Sequence, residues 1–259
     1  MIGYAEDAEN TSPKIGEIVA IVPSAVSVFE QFRIDCYRST AQPLNDLCLA
    51  QGLSSERVLC SVEEAEAASS TDSAQKDWMH EPLSALIEHI AQRHHQFTRE
   101  VFLKLQPVTD ALLERHPRTH AEVGKLRMDL QLLERELTLH LRKEEEMVFP
   151  HVRLLENGSA AAEPPASLFF RSVRRPVNTL MSVMSDEHEL TDGLLVGIHE
   201  IANGMNIHDP EFGQLQQLLG ALKRDLLVHS CLEDYVLFPR ARKLEMSHPD
   251  CLLPGSQLL

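Results

Sequence analysis

Between residues 78 and 246, apolar side chains recur at alternating steps of three and four, the spacing that lines one face of an α-helix. Four long segments carry this pattern: 82–104, 121–149, 176–201 and 210–238. Pro82 suits a first helical turn. Pro150 and Pro239 read as equivalent ends of the second and fourth segments, because a helix interior tolerates proline poorly. The stretches PVTDALLERHPRTH, ENGSAAAEPPAS and ANGMNIHDP are rich in breakers and read as connections. No run alternates with the period of a strand. The pattern predicts an all-α protein built on a four-helix bundle.

Ahead of the bundle, the pieces GEIVAIVP, SAVSVFEQFRI, PLNDLCLAQGL and SERVLCSVEEAEA are short and helical, with turns marked by Pro23, Pro43 and Gly52. The predicted organisation is a flexible acidic leader over 1–13, a small helical domain over 14–67 and a polar linker over 68–77. The bundle then occupies 78–246, and a Pro-broken tail 247–259.

The apolar seams are interrupted by chemistry. Stepping through the second segment gives Leu126, Leu130, Leu133, Leu137, His140, Glu144 and Met147. The fourth gives Leu215, Leu219, Leu222, Leu226, His229, Glu233 and Val236. The third gives Val177, Met181, Met184, His188, Thr191, Leu195 and Ile198. HLRKEEEMVFP at 140–150 thus returns as HSCLEDYVLFP at 229–239, with a His and a Glu four residues later on the same face. A buried polar group without a partner costs about 1–3 kcal/mol, and a charge more. Such groups satisfy one another in a polar core network, or a metal satisfies all of them. Bridging carboxylates with imidazoles suit iron or manganese better than a closed zinc site.

The first segment offers the adjacent pair His94 and His95. The seam Leu83, Ile87, Ile90, His94, Phe97, Val101 selects His94. His95 also fits a duplication of helix pairs, standing 45 residues before His140 as His188 stands 41 before His229.

Composition narrows the function classes. Hydrophobic content is 43% with 5% aromatic, so the core is aliphatic. A formal charge of −15 argues against a broad interface with nucleic acid or anionic lipid. The start lacks the basic and apolar regions of a signal peptide, and no apolar run reaches the ~20 residues of a membrane helix. Five cysteines without a CxxC pair read as thiols in a reducing cytoplasm.

The chain from Lys76 to Leu244 resembles the hemerythrin-like domain of the repair-of-iron-centres (RIC) di-iron proteins. KDW at 76–78, PLSALIEHIAQRHH at 82–95, HLRKEEEMVFP at 140–150, SDEHE at 185–189 and HSCLEDYVLFPRA at 229–241 carry the resemblance. It implies a non-haem di-iron centre of two iron ions, oxo- or hydroxo-bridged when oxidised. The implied ligands are His95, His140, Glu144, His188, His229 and Glu233, with both glutamates bridging. The resemblance thus selects His95 over His94. It also implies a small N-terminal helical domain, but the family's adjacent Cys pair is reduced here to Cys36 in IDCYRSTAQPL. The implied function is repair of iron–sulfur clusters damaged by nitrosative or oxidative stress, through iron supply or nitric oxide reduction. Damaged iron–sulfur proteins and small ligands such as nitric oxide or oxygen are the implied partners, and a homodimer is allowed. The alternative is a non-catalytic hemerythrin-like carrier or sensor of oxygen or nitric oxide. The carriers use five histidines and a last-helix Asp where this chain has Glu233.

The remaining histidines (His80, His89, His116, His120, His151, His199, His208 and His248) read as solvated or capping groups. Glu145, Glu146 and Asp234 read as outer or surface carboxylates, and Met147, Met181 and Met184 as core filler.

Overall fold

The computed structural model describes residues 12–69, 76–116, 120–158, 177–205 and 210–247. Among these the chain is helical and has no strand; an isolated bridge joins Lys14 to Pro43. It forms two compact units, Met1–Met79 and His80–Leu259. Residues 1–11 of the expected leader, 70–75 of the expected linker and 248–259 of the expected tail lie outside the described residues.

The first unit holds α1 (Ile15–Ile21), α2 (Ala25–Gln31), α3 (Leu44–Gln51) and α4 (Ser55–Ser69). Glu17 reaches back to accept the Lys14 backbone N–H at 2.9 Å, relieving one unpaired donor at the start of α1. Gly52 ends α3 at φ +67°, a left-handed position that costs a residue without Cβ little. Ile15, Val19, Phe29, Leu44 and Val58 are buried, and Cys36 and Cys48 are buried among the apolar residues of this unit.

The second unit holds four long helices: α5 over 83–115, α6 over 120–156, α7 over Val177–Gly204 and α8 over 210–247. Around the bundle, α5 packs on α6 and α8, and α7 packs on α6 and α8. The core between them is aliphatic, with Leu105, Leu126, Leu133, Leu195, Leu219 and Leu222 in one buried cluster.

Two sequence expectations fail, for physical reasons. First, α5 does not stop near Lys104 but runs through Pro107 to Arg115. An interior proline costs about 3 kcal/mol. Val108 and Leu112 beyond it are buried in the core, each stabilising by about 1.5–3 kcal/mol, which offsets that cost. Second, Pro150 and Pro239 do not end their helices. In α6 a π turn, Glu144–Val148, separates His120–Lys143 from Phe149–Glu156. In α8 a π turn, Glu233–Leu237, separates Pro210–Leu232 from Phe238–Ser247. Each π turn has already widened the i→i−4 ladder where the proline's ring and missing N–H would disrupt it. The helix therefore absorbs the proline.

The extra residue taken up by a π turn also shifts the buried face by one position. In α6 the buried stripe beyond the turn is Val148, Val152 and Leu155, while Met147, His151 and Leu154 are only half-buried. In α8 it continues through Leu237, Ala241 and Glu245.

The continuations carry a duplicated cap. Glu156 lies seven residues after Phe149, and Glu245 seven after Phe238. Glu156 accepts the backbone N–H groups of Leu83 and, at 2.8 Å, Ser84 at the start of α5. Glu245 accepts the Val177 N–H at 3.0 and 3.2 Å at the start of α7. Each helix that carries a His and a Glu on its seam thus supplies a carboxylate to the positive end of its partner helix. We expect Glu245→Ala to destabilise the metal-free protein by about 1–3 kcal/mol, because it strands a buried N–H. Half-buried Glu156 should cost about 1 kcal/mol on the same change. Urea unfolding followed by circular dichroism reads both; midpoints unmoved in both variants would refute the capping role.

Candidate metal centre

A third π turn among the described residues, Ile90–His95, lies in α5 between Leu83–His89 and Gln96–Arg115. Regular helical stepping brings His94 to the seam, but the π turn adds one residue and carries His95 inward instead. His95 is fully buried and meets Glu144, His229 and Glu233. His94 is also buried, but it faces Asp225 and the flat side of the His229 ring.

The six expected residues come together in two groups of four, each with one ligand atom per residue, all within 4.8 Å of one another. One group is His95, Glu144, His229 and Glu233; the other is His140, Glu144, His188 and Glu233. Both glutamates belong to both groups. Glu144 sends Oε2 to His95 Nε2 at 3.2 Å and Oε1 to His140 Nε2 at 2.8 Å. Glu233 sends Oε2 to His188 Nε2 at 3.3 Å and Oε1 to His229 Nε2 at 3.4 Å.

These contacts leave the chemistry incomplete. All four oxygens of Glu144 and Glu233 are buried without an aligned hydrogen bond, and both residues are 0% exposed. The imidazole nitrogens also meet in pairs, His95 Nε2 to His229 Nε2 at 3.3 Å and His140 Nε2 to His188 Nε2 at 3.1 Å. One ring of each pair can donate to the other only if its own Nε2 carries the proton, and that ring then has no Nε2 lone pair to offer the centre. Four nitrogens and four carboxylate oxygens converging on two points form a donor set that cations complete.

Outer carboxylates orient two of the rings, and a third carboxylate stands near another. His95 Nδ1 is 2.7 Å from Glu145 Oε1, and Arg99 grips both oxygens of Glu145 at 2.8 and 2.9 Å. His140 Nδ1 is 2.9 Å from Glu187 Oε2, whose other oxygen is bound by Lys143. Asp234 Oδ2 lies 3.5 Å from His188 Nδ1, which has no aligned hydrogen bond. A carboxylate on Nδ1 draws the proton there and turns the Nε2 lone pair to the centre. Sequence reasoning placed Glu145 and Asp234 in such an outer role but missed Glu187, Arg99 and Lys143. The position of Glu187, directly before His188, was the available signal. Glu146 is exposed and paired with Arg142 at 2.7 Å.

The same groups shape the site's protonation without metal. Burial pulls His95 and His140 down, but Glu144, with Glu145 and Glu187 respectively, outweighs it and pushes both up to about 9. His188 is likewise raised, against its burial, by Asp234 and Glu233. Burial opposes ionisation of Glu144, yet His140 and His95 hold it well below the usual carboxylate range. His229 alone of the four is lowered, because burial prevails there.

Among the other histidines, His151 and His199 are half-buried rather than solvated, and burial lowers both. His208, His248 and the side chain of His120 lie outside the described residues. Met184 is buried, while Met147 and Met181 are half-buried. No helix among the described residues is long and apolar enough to cross a membrane.

Comparison with known proteins agrees with this geometry. The hemerythrin HHE cation binding domain matches residues 85–241, which contain all six converging residues. The iron-sulfur cluster repair protein YtfE of Cronobacter sakazakii is 30% identical over 231 residues, covering 88% of this chain and 95% of that protein. The protein of the same name from Escherichia coli O8 is 29% identical over 232 residues, with the same coverage of each chain. The domain match spans more than half of the sequence and the relatives are covered almost end to end, so the chain belongs to the hemerythrin HHE cation-binding family, in its repair-of-iron-centres branch.

Proposed function

We propose that this chain holds two iron ions between α5, α6, α7 and α8 and supplies iron to damaged iron–sulfur clusters. The observation that carries the reading is the pair of four-residue groups sharing Glu144 and Glu233. His95 and His229 would serve one ion, His140 and His188 the other, with each glutamate giving one oxygen to each. The relatives' printed name, iron-sulfur cluster repair protein, supplies the process. A bound iron pair contributes redox activity and exchangeable ferrous ions. Imidazole and carboxylate donors without thiolate fit this use, since ferrous iron stands low in the order of divalent affinities. The protein's own part is to orient the donors, His95 through Glu145 and His140 through Glu187, and to shield them with the aliphatic seams. The free thiols of Cys48 and Cys60 suit a reducing compartment such as the cytoplasm.

The direct test begins with protein purified without oxygen. Iron analysis and Mössbauer spectra should give two magnetically coupled irons per chain. Glu144→Ala and Glu233→Ala should each abolish the coupling while the helices persist, since the Leu seams remain. The loaded protein should restore a nitric-oxide-damaged iron–sulfur enzyme under anaerobic conditions, and both variants should fail. Full reactivation by iron-free variants would overturn the reading, and so would a fully loaded protein with one mononuclear iron.

The protonation pattern gives a pH dependence with a definite sign. In the metal-free protein, His95 and His140 are raised from 6.5 to about 9. The stability they contribute is full below pH 6.5 and is lost as pH rises through about 9. Glu144, being lowered, contributes stability above its ordinary pKa and loses it in acid. His229, lowered by burial, opposes His188, which is raised like His95 and His140. Cations bind the deprotonated donors, so their stabilisation grows over the window in which the protons leave. The melting temperature of iron-loaded protein should therefore exceed that of metal-free protein by a margin that widens from pH 6 to pH 9. A margin that shrinks over this range in anaerobic thermal melts would contradict the assignment.

A further inference from the structure

The two halves of the site repeat each other, but their outer supports do not. His95 and Glu145 correspond to His188 and Asp234: a histidine on the first helix of a pair, and the residue after the shared glutamate. His140 is supported by Glu187, the residue before His188. The corresponding supporter of His229 is the residue before His95, which is His94, and this is not a carboxylate.

His94 supports His229 in another way. The two rings stack nearly parallel, at 10° and 5.9 Å between centroids. On its other side, His94 Nδ1 lies 3.1 Å from Asp225 Oδ1, and both side chains are more than nine-tenths buried. Asp225 stands one turn before His229 on the same face of α8, with Arg93 at 3.6 Å. His94 Nδ1 and Asp225 Oδ2 have no aligned hydrogen bond. Among the described residues, no carboxylate pairs with the outer nitrogen of His229.

We infer that the ion held by His95 and His229 is the exchangeable one of the two, and that His94, anchored by Asp225, is the positioning residue that holds His229 in place of a carboxylate. This rests on the di-iron reading above. A carboxylate behind a ligating imidazole strengthens it as a donor and fixes its ring, and removing one costs about 10–100-fold in metal affinity. The His140–His188 half has Glu187 hydrogen-bonded behind His140 and Asp234 at 3.5 Å from His188 Nδ1 without an aligned hydrogen bond, whereas the His95–His229 half has only Glu145. Ring stacking fixes orientation without adding basicity. The half that lacks a carboxylate therefore keeps its geometry but binds more weakly, as a site that gives up one ion at a time requires.

The test is release of ferrous iron from the fully loaded, full-length protein to a colorimetric ferrous chelator in stopped flow without oxygen. Wild-type protein should release its iron in two phases of one equivalent each. His94→Ala and Asp225→Asn should speed the fast phase roughly tenfold and leave the slow phase unchanged. His94→Phe, which keeps a flat ring against His229, should restore the wild-type fast phase. Glu187→Gln should speed only the slow phase. A general loss of packing would move both phases together and would overturn the positioning role. Two irons leaving wild-type protein in one phase would overturn the inference while leaving the di-iron reading intact. Fewer than two irons at the start would instead sink that reading. The wild-type trace and the near-isosteric Asp225→Asn decide the matter even if His94→Ala folds poorly.

Discussion

Two carboxylates at the centre of an aliphatic bundle constrain everything around them. Glu144 and Glu233 are wholly buried, with their four oxygens lacking aligned hydrogen bonds. A buried, unpaired charge costs several kcal/mol, so these positions persist in a folded chain only if positive charge reaches them. Protonated imidazoles do so incompletely, since burial holds His229 below its usual range. Two cations do so while using every converging atom. The outer groups Glu145, Glu187, Asp234, Arg99 and Lys143 form a second ring of charge around the first.

The π turns are the backbone's answer to the same constraint. All three described lie in the helices of the bundle, and each begins or ends on a converging residue: His95 closes one, and Glu144 and Glu233 open the others. A regular helix that places both His and Glu of an HxxxE pair inward would bring the following apolar residues to the wrong face. One extra residue re-registers the stripe, so that Val148, Val152 and Leu155 stay buried beyond Glu144. It also lets the helix pass through Pro150 and Pro239 and deliver Glu156 and Glu245 to the starts of α5 and α7. Site, proline and cap are thus one device, written twice.

Duplication accounts for the symmetry of the six converging residues, and its failure accounts for the asymmetry outside. The inner positions all converge on the shared Glu144 and Glu233 and have little freedom. The outer positions answer only to ring orientation, which a carboxylate or a stacked ring can each supply. His94 and Asp225 occupy the place where the copies diverge.

Much of this was legible in the chain itself. Periodicity in steps of three and four defined four helices and their aliphatic core, because burial of one stripe is a local, additive property of the sequence. The repeated His and Glu on two seams, with the lone His188 on a third, exposed five of the six converging residues, because polar groups on an apolar stripe demand partners wherever they fold. Stepping at 3.6 residues per turn pointed to His94 in the first helix; resemblance to a family, not periodicity, selected His95. Only the tertiary structure explains that choice: a π turn is stabilised by what its shifted side chains meet across the bundle, and no local signal in IAQRHH encodes it. The continuation of α5 past Pro107 and of α6 and α8 past Pro150 and Pro239 was hidden for the same reason. Local propensity penalises a proline at once, whereas the buried contacts that outweigh the penalty come from residues distant in the chain.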